Sequence, residues 1–254
     1  YRVESYRAIA TSSLREAENS LFILGKIRQA TGLTVEILSN SEQRFLSYKA
    51  IASIESRFNK MIEKGTAVID VDGGSIQISL FDKDALVTTQ NIRMGNLRIR
   101  ERLLPLKNNT ANYERLAEEL IRNEILSFKR MYLKDRKIEN IMLIGDFITD
   151  TVFRDTEDKA SRTISRSDFD AWYQNIVEHS TMELAVTMDV PVEYASLLRP
   201  SAIIYHRLIE EMGAAMIWTP GIHLARGLAY EYAEQKKLLK VKHDFENDII
   251  MAAK

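Results

Sequence analysis

Hydrophobic and polar positions along the chain follow two different periods, and the change from one to the other predicts separate helices and strands. Apolar residues recur at the spacing of one helical face in the stretches 21–30 and 112–133. Residues 66–71 form a mostly apolar run, as expected for a buried strand. Ile76, Ile78 and Leu80 then alternate with more polar residues, which is the period of a half-buried strand.

The order of these elements predicts a mixed sheet covered by helices. The strand at 66–71, a Gly-Gly turn, the strand at 75–81, an Asp-Lys-Asp turn and a strand at 85–93 have the order of an antiparallel meander. After residue 93, single apolar strands at 138–144 and 215–218 alternate with helices, the last of them predicted at 220–239. Such alternation is typical of the α/β class.

The amino-acid composition limits the classes of molecule that we expect the chain to bind. The chain has 254 residues, 45% of them hydrophobic, and a formal net charge of −1. This charge gives no general attraction to nucleic acid or to a membrane surface, so we expect neither as a partner. The sequence contains no cysteine, which fits a reducing cytoplasm, and its four histidines lack metal-ligand spacing.

Three segments carry the strongest functional signal. They are ATSSLREA at 10–17, VEILSNSEQRF at 35–45 and AVIDVDGGSIQ at 67–77. In order and spacing they resemble three patterns of the exopolyphosphatase / guanosine pentaphosphate phosphatase (Ppx/GppA) family: A-T-S-x-x-R-x-A, I-S-G-x-E-E-A-R-L (one residue longer than the matching segment) and D-I-G-G-G-S-T-E. The segments 93–98 and 220–228 resemble two later patterns of the family.

The resemblance implies a ribonuclease-H-like fold, that of the actin-like ATPase, sugar kinase and Hsp70 superfamily, with two such domains and a cleft between them. On this basis we expect residues 1–65 to be the C-terminal part of the first domain and residues 66–239 to be the second domain. Residues 240–254 would begin a helical region. The family's first phosphate-binding hairpin would lie before Tyr1, so we expect the isolated chain to be inactive or weakly active.

The resemblance also implies an activity. Family members release a terminal phosphate from inorganic polyphosphate or from guanosine pentaphosphate, using Mg²⁺ and a water activated by a carboxylate. We therefore expect one of these two compounds as the substrate, Mg²⁺ as the cofactor and a homodimer as the assembly.

The segment from Asp70 to Gln77 corresponds to the second phosphate-binding hairpin of the family. Gly73 and Gly74 let backbone N–H groups approach an anion closely, and the Ser75 hydroxyl adds a donor. Asp70, at the end of its strand, is the candidate Mg²⁺ ligand, together with Asp72. The alternative is a plain hairpin turn in which glycine only relieves steric crowding.

Glu42 corresponds to the catalytic base of the family, which orients and deprotonates the attacking water. Its alternative role is that of a solvated glutamate at a helix N-terminus, where the helix dipole favours negative charge. Arg15 and Arg98 are candidate phosphate ligands, because a guanidinium group binds phosphate in a bidentate manner. A surface or capping role is the alternative for each of them.

Departures from the family patterns support a second function. Asp72 replaces a glycine and adds negative charge to a loop that cradles phosphate, and Gln77 replaces a glutamate. After Gly145 the glycine pair of the family turn G-[ST]-G-G-T is absent, and bulkier residues occupy 146–149. The sequence thus favours a phosphoanhydride hydrolase, and leaves open a catalytically degenerate module that senses phosphate or nucleotide or acts as a scaffold.

Overall fold

The computed structural model describes residues 6–53, 56–104, 113–145, 151 and 162–239. The strands are β1 (Ala8–Ala10), β2 (Val35–Ile37), β3 (Thr66–Val71), β4 (Ile76–Asp82), β5 (Ala85–Ile92), β6 (Asn140–Ile144), β7 (Thr163–Ser165) and β8 (Met216–Trp218). The α-helices are α1 (Ser12–Arg15), α2 (Ser20–Thr31), α3 (Asn40–Ala52), α4 (Ser56–Ile62), α5 (Asn96–Leu103), α6 (Tyr113–Phe128), α7 (Arg166–Glu178), α8 (Thr181–Thr187), α9 (Val192–Met212) and α10 (Leu224–Gln235). One π-helical turn (Lys129–Leu133) extends α6.

The main sheet has six strands in the order β5-β4-β3-β6-β8-β7. Strands β3, β4 and β5 pair antiparallel as a meander, and β6 and β8 continue the sheet parallel to β3. Strand β7 closes the edge antiparallel to β8. The predicted meander and the mixed sheet are confirmed, and the strand order is that of the expected ribonuclease-H-like fold.

Helices cover both faces of this sheet. On one face, α3 and α4 bury Tyr48, Ile51 and Phe58 against Phe81 and Trp218. The other face carries the larger core, in which α5, α6, α7, α8 and α9 pack on the alternate residues of β3, β4 and β6. Because side chains of a strand alternate between the two faces, the six fully or nearly buried residues of β3 serve both cores.

Strands β1 and β2 form a separate two-stranded parallel sheet. Helix α2, which connects them, has no buried residue, and Leu21 and Phe22 are 83% and 65% exposed. The proposed domain division at residue 65 stays a prediction, although α3 and α4, which precede it, pack on the six-stranded sheet. Residues 240–254, expected to begin a helical region, lie outside the described residues.

The predicted final helix at 220–239 begins later than expected. Gly221 has a φ of +66°, in the left-handed region, so the chain cannot be helical there, and α10 starts only after His223. Helix α9 spans Val192–Met212 and contains Pro200 in its interior. Within the described ranges, no helix has the length and apolar character needed to cross a membrane.

Candidate phosphate site

The turn between β3 and β4 rests on the N-terminus of α5. The Asp72 amide donates to the Ser75 carbonyl over 2.9 Å, which closes the turn. The amide of Asn96 donates to the Asp72 carbonyl, and the amide of Leu97 donates to the Gly73 carbonyl, each over 3.1 Å. A helix leaves its first amides without internal partners. In α5 these amides instead bind the carbonyl groups of the turn and hold the turn in place.

Gly95 makes this contact sterically feasible. A Cβ atom at Gly95 would lie 2.1 Å from the Asp72 carbonyl oxygen and 2.5 Å from that of Gly73. Gly74 is similarly close to the first segment of the chain, because its Cβ would lie 2.8 Å from that of Ser12. The turn is thus packed between α1 and α5, and Gly95 is a supporting residue that the sequence analysis did not identify.

A pocket of about 290 Å³ lies beside this turn, where the two sheets approach each other. It is lined by residues from five parts of the chain: Thr11, Gln43, Ser47, Asp70, Asp72, Ile144, Gly145, Ile222, His223, Leu224 and Ala225. The polar lining comes from the ends of β1 and β3, from the buried face of α3 and from His223, which precedes α10. The pocket therefore forms at the C-terminal ends of parallel strands, where open α/β sheets bind ligands.

Two carboxylates reach this pocket. Asp70 is only 9% exposed, and its Oδ2 accepts a hydrogen bond from the Ser47 hydroxyl over 3.4 Å. Asp72 is half-buried, and its Oδ2 accepts a hydrogen bond from the side-chain amide of Gln43. Both predicted metal residues therefore line one pocket, each with a neutral donor from α3.

Glu42 lies on the solvent side of α3 and is not part of the pocket lining. Its carboxylate accepts a hydrogen bond from the Ser39 amide over 2.7 Å, and its own amide donates to the Ser39 hydroxyl over 3.2 Å. These bonds form a capping box, and they lower the pKa of Glu42. The structure therefore places Glu42 in the alternative role of a helix-capping residue.

Gln43 occupies the pocket position on α3 that was expected of Glu42, and it is 2% exposed. Two sequence signals could have identified it. The pattern I-S-G-x-E-E-A-R-L fits residues 38–46 without the one-residue difference assumed in the sequence analysis, which places its two glutamates at 42 and 43. Residue 43 also lies within about 20° of the apolar position 50 around the helix, whereas residue 42 lies about 80° from it.

The two arginines flank the turn. A terminal nitrogen of Arg15 donates to the Leu38 carbonyl, and burial lowers the pKa of Arg15, an effect that the nearby Asp72 carboxylate opposes. Arg98 donates from Nε to the Gly74 carbonyl over 2.7 Å and pairs with Glu16. Arg98 thus ties the turn to α1, and neither arginine belongs to the pocket lining.

Several buried polar atoms around the turn have no hydrogen-bond partner in the described structure. They are Nη2 of Arg15, Oε1 of Gln43, Oγ of Ser75 and Nε2 of Gln77. A buried polar group without a partner costs about 1–3 kcal/mol. Because four such atoms cluster around one turn, they favour a polar ligand or ordered water at this site.

The N-terminus of α10 completes the pocket wall. Leu224 and Ala225 open this helix, and no side chain caps it. Gly145 also lines the pocket with a φ of +127°, and a Cβ there would lie 2.8 Å from the Tyr205 hydroxyl. A helix N-terminus favours anions, so one side of the pocket is suited to phosphate. The predicted bulky residues at 146–149 lie outside the described residues.

Sequence comparison then identifies the family. The model of the Ppx/GppA phosphatase family matches residues 1–236. The chain belongs to this family. It is also 25% identical, over 149 residues, to a bifunctional 3-dehydroquinate synthase/phosphatase of Fusobacterium nucleatum. This match covers 58% of the chain and 20% of that relative, so the chain spans only a small part of the relative's length.

Solved structures of low sequence identity share the fold. An exopolyphosphatase from Cytophaga hutchinsonii superposes with a TM-score of 0.71 and 13% identity, covering 90% of this chain and 75% of that one. The Ppx/GppA family member of Aquifex aeolicus gives a TM-score of 0.67 and 16% identity, covering 92% and 76%. The ribonuclease-H-like architecture is therefore that of known Ppx/GppA proteins.

The site of this Ppx/GppA chain offers oxygen ligands suited to Mg²⁺. Among the residues that the structure describes, no three His, Cys, Asp or Glu side chains form a cluster that could hold a metal. Mg²⁺, however, usually binds through one or two carboxylates and completes its shell with water and substrate phosphates. Asp70 and Asp72 in one pocket supply this number of carboxylates.

Proposed function

We propose that this chain forms the phosphate site of a phosphatase that releases the terminal phosphate of a polyphosphate-like phosphoanhydride. The observation that carries the proposal is the pocket in which Asp70 and Asp72 face the N-terminus of α10 beside the glycine turn. Carboxylates are suited to a cation and the helix terminus is suited to an anion, so a metal-bound phosphate satisfies both.

Inorganic polyphosphate and guanosine pentaphosphate are the two substrates that we propose. Both end in a phosphoanhydride, and the pocket lining offers polar groups for phosphate. The Cytophaga hutchinsonii neighbour is described as an exopolyphosphatase, which leads us to test polyphosphate first. We expect the protein to act in the cytoplasm, because its sequence has no cysteine.

We assign Asp70 as the residue that holds Mg²⁺, because its carboxylate is more buried than that of Asp72 and accepts a hydrogen bond from the Ser47 hydroxyl. When bound, the cation would neutralise charge on the phosphate oxygens. Arg15 contributes a buried terminal nitrogen close to Asp72, which can donate to a phosphate oxygen. The glycine turn and α10 orient the terminal phosphate.

A second candidate function is ligand binding without turnover. Gln43 favours it, because this buried pocket residue carries a neutral amide, which cannot accept a proton from water at neutral pH. With Glu42 at the helix cap, α3 presents no carboxylate to the pocket. Such a protein would sense polyphosphate or nucleotide, or act as a scaffold.

Phosphate release and ligand binding, measured on the same full-length protein, separate these functions. The wild type and Asp70→Asn would be compared on polyphosphate and guanosine pentaphosphate, with Mg²⁺ and with chelator. Asp135→Asn, at an exposed position away from the pocket, is the matched control. We expect Mg²⁺-dependent release by the wild type and the control, and a loss of at least 100-fold in Asp70→Asn.

Saturable binding of either compound without release would support the sensing function instead. Release that persists unchanged in Asp70→Asn, or the absence of both binding and release, would contradict the assignment of this pocket as a phosphate site.

A further inference from the structure

Basic side chains gather at the end of the main sheet that lies opposite the pocket of Asp70. A second pocket, of about 440 Å³, opens there beside the N-terminal ends of β3 and β6. Four of its lining residues are basic and one is acidic. We call the basic residues, which are Arg57, Lys60, Lys64 and Lys137, the basic surface.

The basic surface is formed by two segments of the chain that meet at Gly65. Residues 57–64 and 129–139 together contain eight basic and three acidic residues, although the whole chain has a net charge of −1. The Glu139 amide donates to the Gly65 carbonyl over 2.8 Å, and a Cβ at Gly65 would lie 2.1 Å from the Lys137 carbonyl oxygen. The fold therefore concentrates positive charge that the overall composition does not reveal.

The negative groups at this pocket do not balance its positive charge. Glu139 is shared by two ammonium groups, those of Lys64 at 3.2 Å and Lys137 at 3.9 Å. Helix α9 ends here at Gly213, and a helix C-terminus contributes about half of an elementary negative charge. One carboxylate and this partial charge face four cations, so the pocket stays positive.

Arg57 gives the basic surface a fixed point. Its guanidinium group lies 5.0 Å from the centre of the Trp218 ring and donates to the Thr163 hydroxyl. Trp218 is buried in β8, so the arginine is held between α4 and the sheet. A cation that is already ordered loses less conformational entropy when it binds an anion.

The two pockets lie at opposite ends of β3. Six residues separate Lys64 from Asp70, which corresponds to about 20 Å of extended chain. We propose that the basic surface binds the distal part of a long polyphosphate chain whose terminal phosphate occupies the pocket of Asp70. This inference rests on the proposed phosphatase function. It favours polyphosphate over guanosine pentaphosphate, because the short phosphate groups of the nucleotide cannot span this distance.

The test measures kcat and KM of the full-length protein on long-chain polyphosphate and on tripolyphosphate, which is too short to reach the basic surface. The triple variant Lys60→Gln/Lys64→Gln/Lys137→Gln removes three charges and keeps long polar side chains. We expect its KM for long-chain polyphosphate to rise about tenfold or more at unchanged kcat. Its KM for tripolyphosphate should stay within about twofold of the wild type, because this substrate lies beyond a Debye length from the lysines.

The control variant Lys26→Gln/Lys236→Gln/Lys237→Gln removes the same charge at three exposed lysines that do not line this pocket. Its two KM values should match those of the wild type, and thermal melts establish that each variant is folded. Salt gives a second readout. The slope of log KM for long-chain polyphosphate against log salt should fall by about 0.7 for each lysine removed from the basic surface, as for single-stranded nucleic acid. A purely structural role of the lysines would not change this slope.

Binding of long-chain polyphosphate is also measured with chelator present, in competition with poly-glutamate and single-stranded RNA. If phosphate is released and the basic-surface variant keeps the KM of the wild type, the surface assignment is wrong and the phosphatase function stands. An equal loss in the control variant or on tripolyphosphate, or tighter binding of either competitor, would also overturn the assignment. Lysine-dependent binding of polyphosphate without release would retain the surface and overturn the phosphatase function. Absence of both would overturn the two together.

Discussion

Gly95 determines how closely the turn of the site can approach α5. Its missing side chain leaves room for the carbonyl oxygens of Asp72 and Gly73, which would lie 2.1 and 2.5 Å from a Cβ atom. We expect Gly95→Ala to displace the turn, to lower the free energy of unfolding by about 1–3 kcal/mol and to weaken phosphate binding. Chemical denaturation and ligand titration would measure both effects.

Gly25 provides the matched control for this substitution. It lies inside α2, and nothing lies within 4 Å of a Cβ built there. Gly25→Ala should leave phosphate binding unchanged and stabilise the helix by about 0.5–1 kcal/mol. Equal effects of the two substitutions would contradict a specific role of Gly95 in supporting the turn.

The sequence predicted which residue types occupy the site better than it predicted the directions in which their side chains point. The pattern around residues 67–77 indicated that Asp70 and Asp72 lie near each other, because a strand followed by a glycine turn fixes the backbone path, and both residues line one pocket. The choice between Glu42 and Gln43 depended on helix phase, since neighbouring residues on α3 point about 100° apart. Contacts distant in sequence, such as that of Gly95 with Asp72, leave no local signal.

At the scale of elements, strands joined by tight turns were predictable and short or interrupted elements were not. The β3–β4–β5 meander follows from alternation and turn residues alone. Helix α9 continues through Pro200, because the residues around this proline are buried in the larger core. The three-residue β7 is too short for a periodic signal, and pairing with β8 stabilises it.

Helices α7 and α9 meet at a stacked pair of rings that predicts a pH dependence of stability. His206 stacks on Tyr173 with ring centroids 3.9 Å apart. Burial lowers the pKa of His206, and the Asp170 carboxylate, 3.7 Å away, opposes this shift. Burial raises the pKa of Tyr173 to about 12. The other charged groups acting on His206 are Arg166, Glu210 and Glu118.

Because the unfolded chain binds a proton more readily at His206 than the folded chain does, stability should fall as the pH is lowered below about 6.5. His206→Phe keeps an aromatic ring and removes the titration, so its unfolding free energy should depend less on pH between about 5 and 7. Denaturation at a series of pH values would measure this slope. His179→Gln, at an exposed histidine, is the control, and an identical slope in wild type and His206→Phe would contradict the prediction.

At the scale of the whole molecule, the chain joins a well-packed six-stranded sheet to a two-stranded sheet with little core of its own. Helices α3 and α4 share their core with the large sheet, whereas α2 buries no residue. Contacts such as the Arg98 pair with Glu16 link the two parts at the turn of the site. Because α1 packs against the turn, the position of the residues before α3 affects the geometry of the pocket.

The exposed apolar residues of α2 lead to the last prediction, which concerns assembly. Leu21 and Phe22 are 83% and 65% exposed, and large exposed apolar side chains tend to be covered by a partner. We expect the protein to self-associate in sedimentation velocity, and the double substitution Leu21→Glu/Phe22→Glu to shift it towards the monomer. Val186→Glu, at a residue 78% exposed on α8, controls for added charge and should leave the assembly unchanged. A wild type that stays monomeric at high concentration, or a double variant that associates equally, would show that α2 is not the contact surface.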